Sequence, residues 1–146
     1  MSWVLWALWG CSMSEGSVAV NEYVQHLHGG DHAAAYGMVT AEKRGKLSLE
    51  EWKSTMHTDR LADVQGISIR GARSLNPGGT CLYTNLDFAS HPDSGPYGYY
   101  IFYLKKDGGS LRVHDVLTYT SISGGMLKST EFDESREPFP CHSNGL

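Results

Sequence analysis

The sequence predicts an α+β domain, and three observations support this class. Apolar residues recur at helical spacing between about residues 14 and 58, and they alternate with polar residues at strand spacing from about residue 63 onward. Turn residues separate the strand-like segments from one another. Helices and strands are thus segregated along the chain, which is typical of an antiparallel sheet packed against helices. We predict three N-terminal helices packed on an antiparallel four-stranded meander.

Three helices are predicted from their apolar stripes and their end signals. The first ends at Gly29-Gly30, because glycine readily terminates a helix. Asp31 is suited to cap a second, short helix. Ser48-Leu-Glu-Glu51 is a capping box, which opens a third helix. The apolar residues that define the first and third helices are Val20, Tyr23, Val24, Leu27, Trp52 and Met56.

Four strands are predicted, around residues 67–69, around residues 81–88, from Tyr99 to Leu104, and from Leu111 to Tyr119. Along the second strand the two faces differ, since one is apolar and the other carries Cys81, Tyr83, Asn85 and Asp87. Hairpin turns are predicted at Asn76-Pro-Gly-Gly79 and Lys106-Asp-Gly-Gly109.

The N-terminus is the most informative segment for location. Residues 1–10 are uncharged and mostly apolar, and Leu8-Trp-Gly-Cys11 resembles the lipobox of bacterial lipoproteins, in which the peptide is cut before a cysteine that carries lipid. The resemblance implies a signal peptide over 1–10, an anchor and linker over 11–14, and a bilayer partner reached through lipidated Cys11. We therefore expect a location in the bacterial cell envelope, lipid-anchored and facing the periplasm. Ser12 favours the outer over the inner membrane.

The alternative is a cytosolic protein in which the N-terminal tryptophans are buried. A signal peptide normally begins with basic residues, and residues 1–10 contain neither Lys nor Arg. If Cys11 carries lipid, Cys81 and Cys141 are available for a single disulfide. If the protein is cytosolic, all three cysteines are expected to be free thiols, because the cytosol keeps thiols reduced. Their spacing fits no CxxC metal or redox pattern.

The charge and the motifs of the chain limit the kinds of partner and cofactor that we expect. The net charge is −4, and the cations are scattered, so the chain lacks the basic stripe that binds a phosphate backbone and we expect no nucleic acid partner. His28 and His32 have chelating spacing, but Gly29-Gly30 lies between them, and we expect no metal and no cofactor. His114 and Asp115 are neighbours on a strand and are expected to face opposite sides of the sheet.

Three segments share a pattern with a known superfamily, and they run from Tyr23 to Tyr36, from Leu47 to Trp52 and from Asp107 to Val116. They resemble the opening helices and the closing hairpin of the nuclear transport factor 2-like (cystatin-like) superfamily, and in particular its small bacterial lipoproteins. The resemblance implies a cone-shaped domain over 15–123, in which a curved sheet and the helices enclose a pocket. The remainder, 124–146, is predicted to be a poorly ordered acidic tail.

Two functions of different class are compatible with such a domain. The favoured one is a non-enzymatic, membrane-anchored binding module for a protein partner or a small apolar ligand. Ordinary strand propensity also explains most of the aromatic residues that would form its pocket or partner surface. The alternative is a pocket enzyme of the isomerase, dehydratase or hydrolase kind, in which Asp87 forms an acid-base pair with Tyr83 or Tyr23. The residues predicted for the pocket or partner surface are Tyr36, Tyr99, Tyr100, Phe102, Tyr103 and His114.

Overall fold

The computed structural model describes residues 14–56, 58–75, 78–89, 98–121, 127–129 and 141, with the side chains of 98–99, 118–121 and 127–129 excepted. The predicted signal peptide, Cys11, the Asn76-Pro77 turn residues and most of the predicted tail lie outside this part of the chain. Within it there are five helices and five strands. The helices are α1 (Glu15–His28), α2 (His32–Gly37), α3 (Ala41–Lys46), α4 (Leu49–Thr55) and α5 (Thr58–Ala62). The strands are β1 (Val64–Leu75), β2 (Gly79–Phe88), β3 (Gly98–Asp107), β4 (Ser110–Ser121) and β5 (Leu127–Ser129).

The strands form one open sheet in the order β1-β2-β3-β4-β5, and each is antiparallel to its neighbour. The predicted α+β class and the antiparallel meander of four strands are therefore confirmed. The turn between β3 and β4 uses Gly108 and Gly109 at φ values of 63° and 87°, a conformation that side-chain-bearing residues rarely adopt. The short β5 was not predicted, since three residues give too little periodicity to recognise.

The sheet has two ends, which we call proximal and distal. At the proximal end β1 finishes, β2 begins and the β3–β4 turn lies, while at the distal end β1 begins and β4 pairs with β5. Helix α1 runs from one end to the other. Its first residue, Glu15, accepts a hydrogen bond from the Leu111 backbone near the proximal end (3.4 Å), and its last residue, His28, donates from Nδ1 to the Ala62 carbonyl at the distal end (2.9 Å).

Helix α1 packs its predicted apolar stripe against the inner face of the sheet. The four stripe residues are at most 4% exposed, and the core that they join contains Trp52 and Phe102. Gly16 allows the first turn to approach closely, because a Cβ there would lie 3.2 Å from Leu104 Cδ1. The Ser14 side chain caps the helix by accepting from the Ser17 backbone N–H. The stripe consists of Val20, Tyr23, Val24 and Leu27.

The prediction of three helices is wrong in number. The Asp31 cap and the capping box at Ser48 are both present, and they begin α2 and α4. The additional α3 has no buried residue, so it lacks the apolar stripe by which a helix is recognised in sequence. It is held at its start instead, where the Thr40 side chain accepts from the Lys43 N–H (3.2 Å) and Asp107 accepts from the Ala41 N–H (2.7 Å). The other addition, α5, has only five residues.

The outer face of the sheet carries a second apolar cluster. Its buried members are Cys81, Tyr83, Ile101, Leu117 and Cys141. Of the β2 residues predicted to form a polar-aromatic face, Cys81 and Tyr83 are therefore buried, and Asp87 is exposed. Cys81 and Cys141 are joined by a disulfide, with their Cα atoms 5.7 Å apart and a sequence separation of 60. The bond attaches Cys141 to the third residue of β2.

Removing this disulfide is expected to destabilise the fold. The double variant Cys81→Ala/Cys141→Ala should lose about 2–5 kcal/mol of unfolding free energy, because closing a long loop restricts the unfolded chain. Urea denaturation should detect the loss. A reductant should lower the stability of the wild type toward that of the variant and leave the variant unchanged. Equal stability of the wild type in oxidised and reduced form would contradict the prediction.

Candidate functional site

Most of the aromatic residues predicted for a pocket or partner surface are part of the core. Tyr100 and Phe102 are 4% and 0% exposed, and both belong to the inner cluster. The Tyr36 hydroxyl donates to the Leu47 carbonyl (2.6 Å), and its ring lies 5.3 Å from that of Trp52. The side chain of Tyr99 lies outside the described part of the structure. These contacts fill the space between the helices and the sheet with side chains.

Two polar atoms are buried in this interior. The Tyr23 hydroxyl and Trp52 Nε1 make no hydrogen bond of acceptable geometry within the described chain. Burial raises the pKa of Tyr23 well above its usual range, and the nearby Trp52 and Asp115 are smaller influences. Tyr23 therefore stays protonated at physiological pH, and its hydroxyl adds polarity to an otherwise apolar core.

The acid-base group of the enzyme hypothesis is not assembled. Asp87 is exposed, and its carboxylate accepts a hydrogen bond from Gln65 Nε2 (3.1 Å). Tyr83 shares its face of β2 but belongs to the outer apolar cluster, whereas Tyr23 lies in the inner core on the opposite side of the sheet. The structure thus places Asp87 and Tyr23 on different faces, where they cannot act on one substrate.

His114 occupies a β-bulge in β4. Tyr103 pairs with Asp115 and Leu104 pairs with Val113, so His114 has no partner across the β3–β4 ladder. The bulge shifts the alternation of side chains by one residue. Val113 and Val116 consequently both point into the inner core, although strict alternation would place residues three apart on opposite faces.

The bulge brings together a polar cluster that the sequence did not predict. His114 Nδ1 and Thr40 Oγ1 share a buried hydrogen bond of 2.8 Å, and the His114 ring packs edge-on against Tyr103, with centroids 5.5 Å apart. Lys43 Nζ lies 3.7 Å from an Asp115 oxygen. His114 and Asp115, expected on opposite faces, thus take part in one cluster. No sequence pattern pointed to Thr40 or Lys43, because their contacts span more than 70 residues.

The electrostatics of the cluster favour a neutral His114. Burial lowers its pKa, Lys105 and Lys43 lower it further, and Glu42 and Asp115 oppose the shift. A hydrogen bond and attraction from Lys105 lower the pKa of the exposed Glu42. His114 is 4% exposed and Thr40 is 3% exposed, so a substrate in solution has little access to either. The cluster therefore joins the start of α3 to the sheet.

Two grooves formed by described residues lie on the flanks of α1. The larger groove, which we call the distal groove, has a volume of about 380 Å³ and lies between the C-terminal half of α1 and the start of β1. None of its lining residues carries a carboxylate, ammonium or guanidinium group. The lining residues are Asn21, Val24, Gln25, His28, Val64, Gln65, Gly66 and Ile67.

A smaller proximal groove of about 290 Å³ lies between the N-terminal half of α1 and the start of β4. Its floor includes Val18, which is 41% exposed, and Leu111. Its rim is charged, with Glu15, Glu22 and Arg112. The two grooves therefore differ in chemistry, because charged side chains line the proximal groove and none of these groups lines the distal groove.

Comparison with protein-family models, curated proteins and solved structures gave no match for this chain. Among the described residues there is no group of three or more His, Cys, Asp or Glu side chains that could hold a metal ion. In the same part of the chain no helix combines the length and the apolar character needed to cross a bilayer.

Substitution of Phe102 distinguishes a core residue from the wall of a ligand pocket. Because Phe102 is fully buried among side chains, Phe102→Ala should cost about 3–5 kcal/mol of unfolding free energy. The control Ile69→Ala, at a site that is 39% exposed, should change stability by less than about 0.5 kcal/mol. Urea denaturation measures both. A cost for Phe102→Ala as small as that of the control would indicate a pocket wall.

The pKa of His114 makes stability depend on pH. It is lower in the folded than in the unfolded protein, so the unfolded state binds more protons as the pH falls below the ordinary histidine value of about 6.5. The contribution of neutral His114 to stability is therefore complete above that pH and is lost as the pH falls through the folded pKa. The variant His114→Gln should lose less stability than the wild type between neutral and mildly acidic pH.

Denaturation midpoints recorded across this pH range provide the measurement. The matched control is His26→Gln, which makes the same substitution on α1, outside the His114 cluster. Identical pH profiles for His114→Gln and the wild type would contradict the assignment.

Proposed function

We propose that the chain is a periplasmic lipoprotein, anchored to the membrane through lipid on Cys11, whose domain is a non-enzymatic binding module. The observation that carries the proposal is the Cys81–Cys141 disulfide. It accounts for two of the three cysteines and leaves Cys11, which is the residue at the lipobox-like position. Disulfides form and persist in oxidising compartments, including the periplasm, and are rare in the cytosol. The pairing therefore favours export over the cytosolic alternative, and Ser12 favours the outer membrane.

The distal groove is the proposed binding site. Val24, Val64 and Ile67 give the groove an apolar floor. This floor suits a small apolar ligand or an apolar segment of a partner protein, because an apolar group gains free energy when it leaves water for such a surface. The groove lies at the end of α1 that is farther from Cys11. Since an α-helix rises 1.5 Å per residue, the 14 residues of α1 extend over about 21 Å. This separation would leave the groove accessible to a ligand while the anchor is in the bilayer.

The membership in the nuclear transport factor 2-like superfamily and the cone-shaped curvature of the sheet are part of the same proposal. The packing of helices on one face of an antiparallel meander supports both. The enzyme alternative has less support. It requires a carboxylate facing a pocket, and Asp87 is exposed and bonded to Gln65 on the opposite sheet face from Tyr23.

Intact mass of the protein extracted from membranes tests the anchor. A species that begins at Cys11, carries a diacylglycerol group and lacks two hydrogens is expected under denaturing conditions. Such processing would also remove Trp3, Trp6 and Trp9 and leave Trp52 as the sole tryptophan, so the emission should be that of one buried indole. An unmodified chain that retains Met1 would overturn the proposal.

Binding of an uncharged apolar fluorophore, N-phenyl-1-naphthylamine, tests the groove. The wild-type protein should bind it saturably, and Gln25→Glu should weaken binding by about fivefold or more, because it adds a charge to the rim. The control Ser54→Glu adds the same charge to an exposed site on α4 and should leave the affinity unchanged. Equal affinity of all three proteins would show that the fluorophore does not bind in the distal groove.

A further inference from the structure

Strand β1 lies at an edge of the sheet. Among the described residues it pairs with β2 on one side, and no strand pairs with its other side, which we call the free edge. The side chains of Ser68 and Ile69 are exposed and, as regularly paired neighbours in a strand, point to opposite faces of the sheet. Neither face of β1 is therefore covered at this point, and the free edge presents backbone N–H and C=O groups to solvent.

The free edge lacks some of the features that keep sheet edges from pairing. Proline, lysine and inward-facing charge are common protections. Strand β1 contains no proline and no lysine, and its only two charged residues, both arginines, follow Ile69. It has two bulges instead, whose extra residues are Gln65 and Arg70. Between the bulges, residues 66–69 are uncharged and pair with β2 in regular register.

The distal groove lies beside this regular run of β1. Val64 and Ile67 from β1 and Val24 from α1 line it. Ile67 and Ile69 are two residues apart with no bulge between them, so both side chains point to the inner face, where Leu86, the partner of Ile67, is in the core. Ile69 is 39% exposed. The apolar floor of the groove is thus continued along β1 by an exposed apolar side chain next to the free edge.

From the free edge and the groove beside it we propose that residues 66–69 take up an extended segment of a partner protein as an additional strand. The backbone of such a segment hydrogen-bonds to the free edge, and its side chains at every second position reach the inner face. Apolar side chains at those positions pack in the distal groove and against Ile69. The inference rests on the proposed function and decides between its two kinds of ligand in favour of a protein segment.

Two physical arguments favour a flexible segment over other occupants. A small apolar ligand would cover the floor of the groove without supplying hydrogen bonds to the backbone of the free edge, and buried backbone groups without partners are costly. A second copy of this chain would bring a folded sheet whose own bulges limit regular pairing to the same short run. A flexible segment can instead follow the bend that the bulges introduce.

The probe is a fluorescein-labelled peptide with blocked ends, Thr-Val-Thr-Val-Thr-Val, and fluorescence anisotropy measures its binding to the full protein. Two derivatives carry N-methyl groups, one on its valines and the other on its threonines. Alternate residues of a strand direct their N–H groups to the same side, so only one of these sets faces β1. One derivative should therefore bind about tenfold or more weakly than the other. Equal affinities of the two derivatives would overturn the inference.

Substitution of exposed apolar residues locates the bound peptide. Ile69→Lys places a charge against the apolar side chains of the peptide and should weaken binding by about fivefold or more. The matched control is Val18→Lys, because Val18 is also exposed, at 41%, but lies in the proximal groove. The control should bind with the affinity of the wild type, and urea denaturation verifies that both variants are folded. Equal effects of the two substitutions would place the peptide elsewhere and overturn the inference.

Further outcomes separate this inference from the proposed function. A protein that binds N-phenyl-1-naphthylamine in the distal groove but not the peptide overturns strand addition and leaves the groove as a site for small ligands. A protein that binds neither probe overturns the groove as well. Peptide binding with the expected differences supports the inference whether or not the fluorophore binds. A wild-type dimer that Ile69→Lys converts to a monomer in sedimentation equilibrium would assign the free edge to a second copy and overturn the partner segment.

Discussion

The packing of α1 across the inner face of the sheet is the contact on which the rest of the structure depends. Its four stripe residues are buried, and the helix lies against β1, β2 and β4; a large apolar side chain contributes about 1.5–3 kcal/mol when fully buried. Gly16 favours this contact, since a Cβ there would lie 3.2 Å from Leu104 Cδ1. Because α1 crosses the whole sheet, it determines where the chain enters the domain and where the concave surface remains.

Core side chains cover the inner face of the sheet, so the candidate binding surface lies on the flanks of α1. Phe102, Tyr100 and Trp52 occupy the space in which a cone-shaped domain would keep a pocket, and the open grooves lie on either side of the helix. On the outer face the disulfide has a comparable effect, because it fixes Cys141 against Tyr83 and Ile101. Among the described residues, apolar side chains therefore cover parts of both sheet faces, and the two grooves described here lie on the flanks of α1.

The bulge at His114 links the sheet to α3. Without the extra residue, Val113 and Val116 could not both face the inner core, so the apolar pattern of β4 requires an irregularity at this point. His114, the extra residue of the bulge, shares a hydrogen bond with Thr40, and the Thr40 side chain also caps α3. A requirement of core packing thereby attaches a surface helix that has no buried side chain of its own, and with it Lys43, Arg44 and Lys46.

The sequence by itself determined the elements whose signals are local. The stripe from Val20 to Leu27, the caps at Asp31 and Ser48, and the glycine turn at Gly108 each act within one helix or hairpin, so periodicity and cap chemistry suffice to predict them. The α+β class and the order of the meander follow from those elements. Only the tertiary structure decided that α3 forms, that Phe102 is core, that Asp87 and Tyr23 lie on opposite faces, and that His114 meets Thr40. These outcomes depend on contacts between residues far apart in the chain, whose free energy no local pattern records.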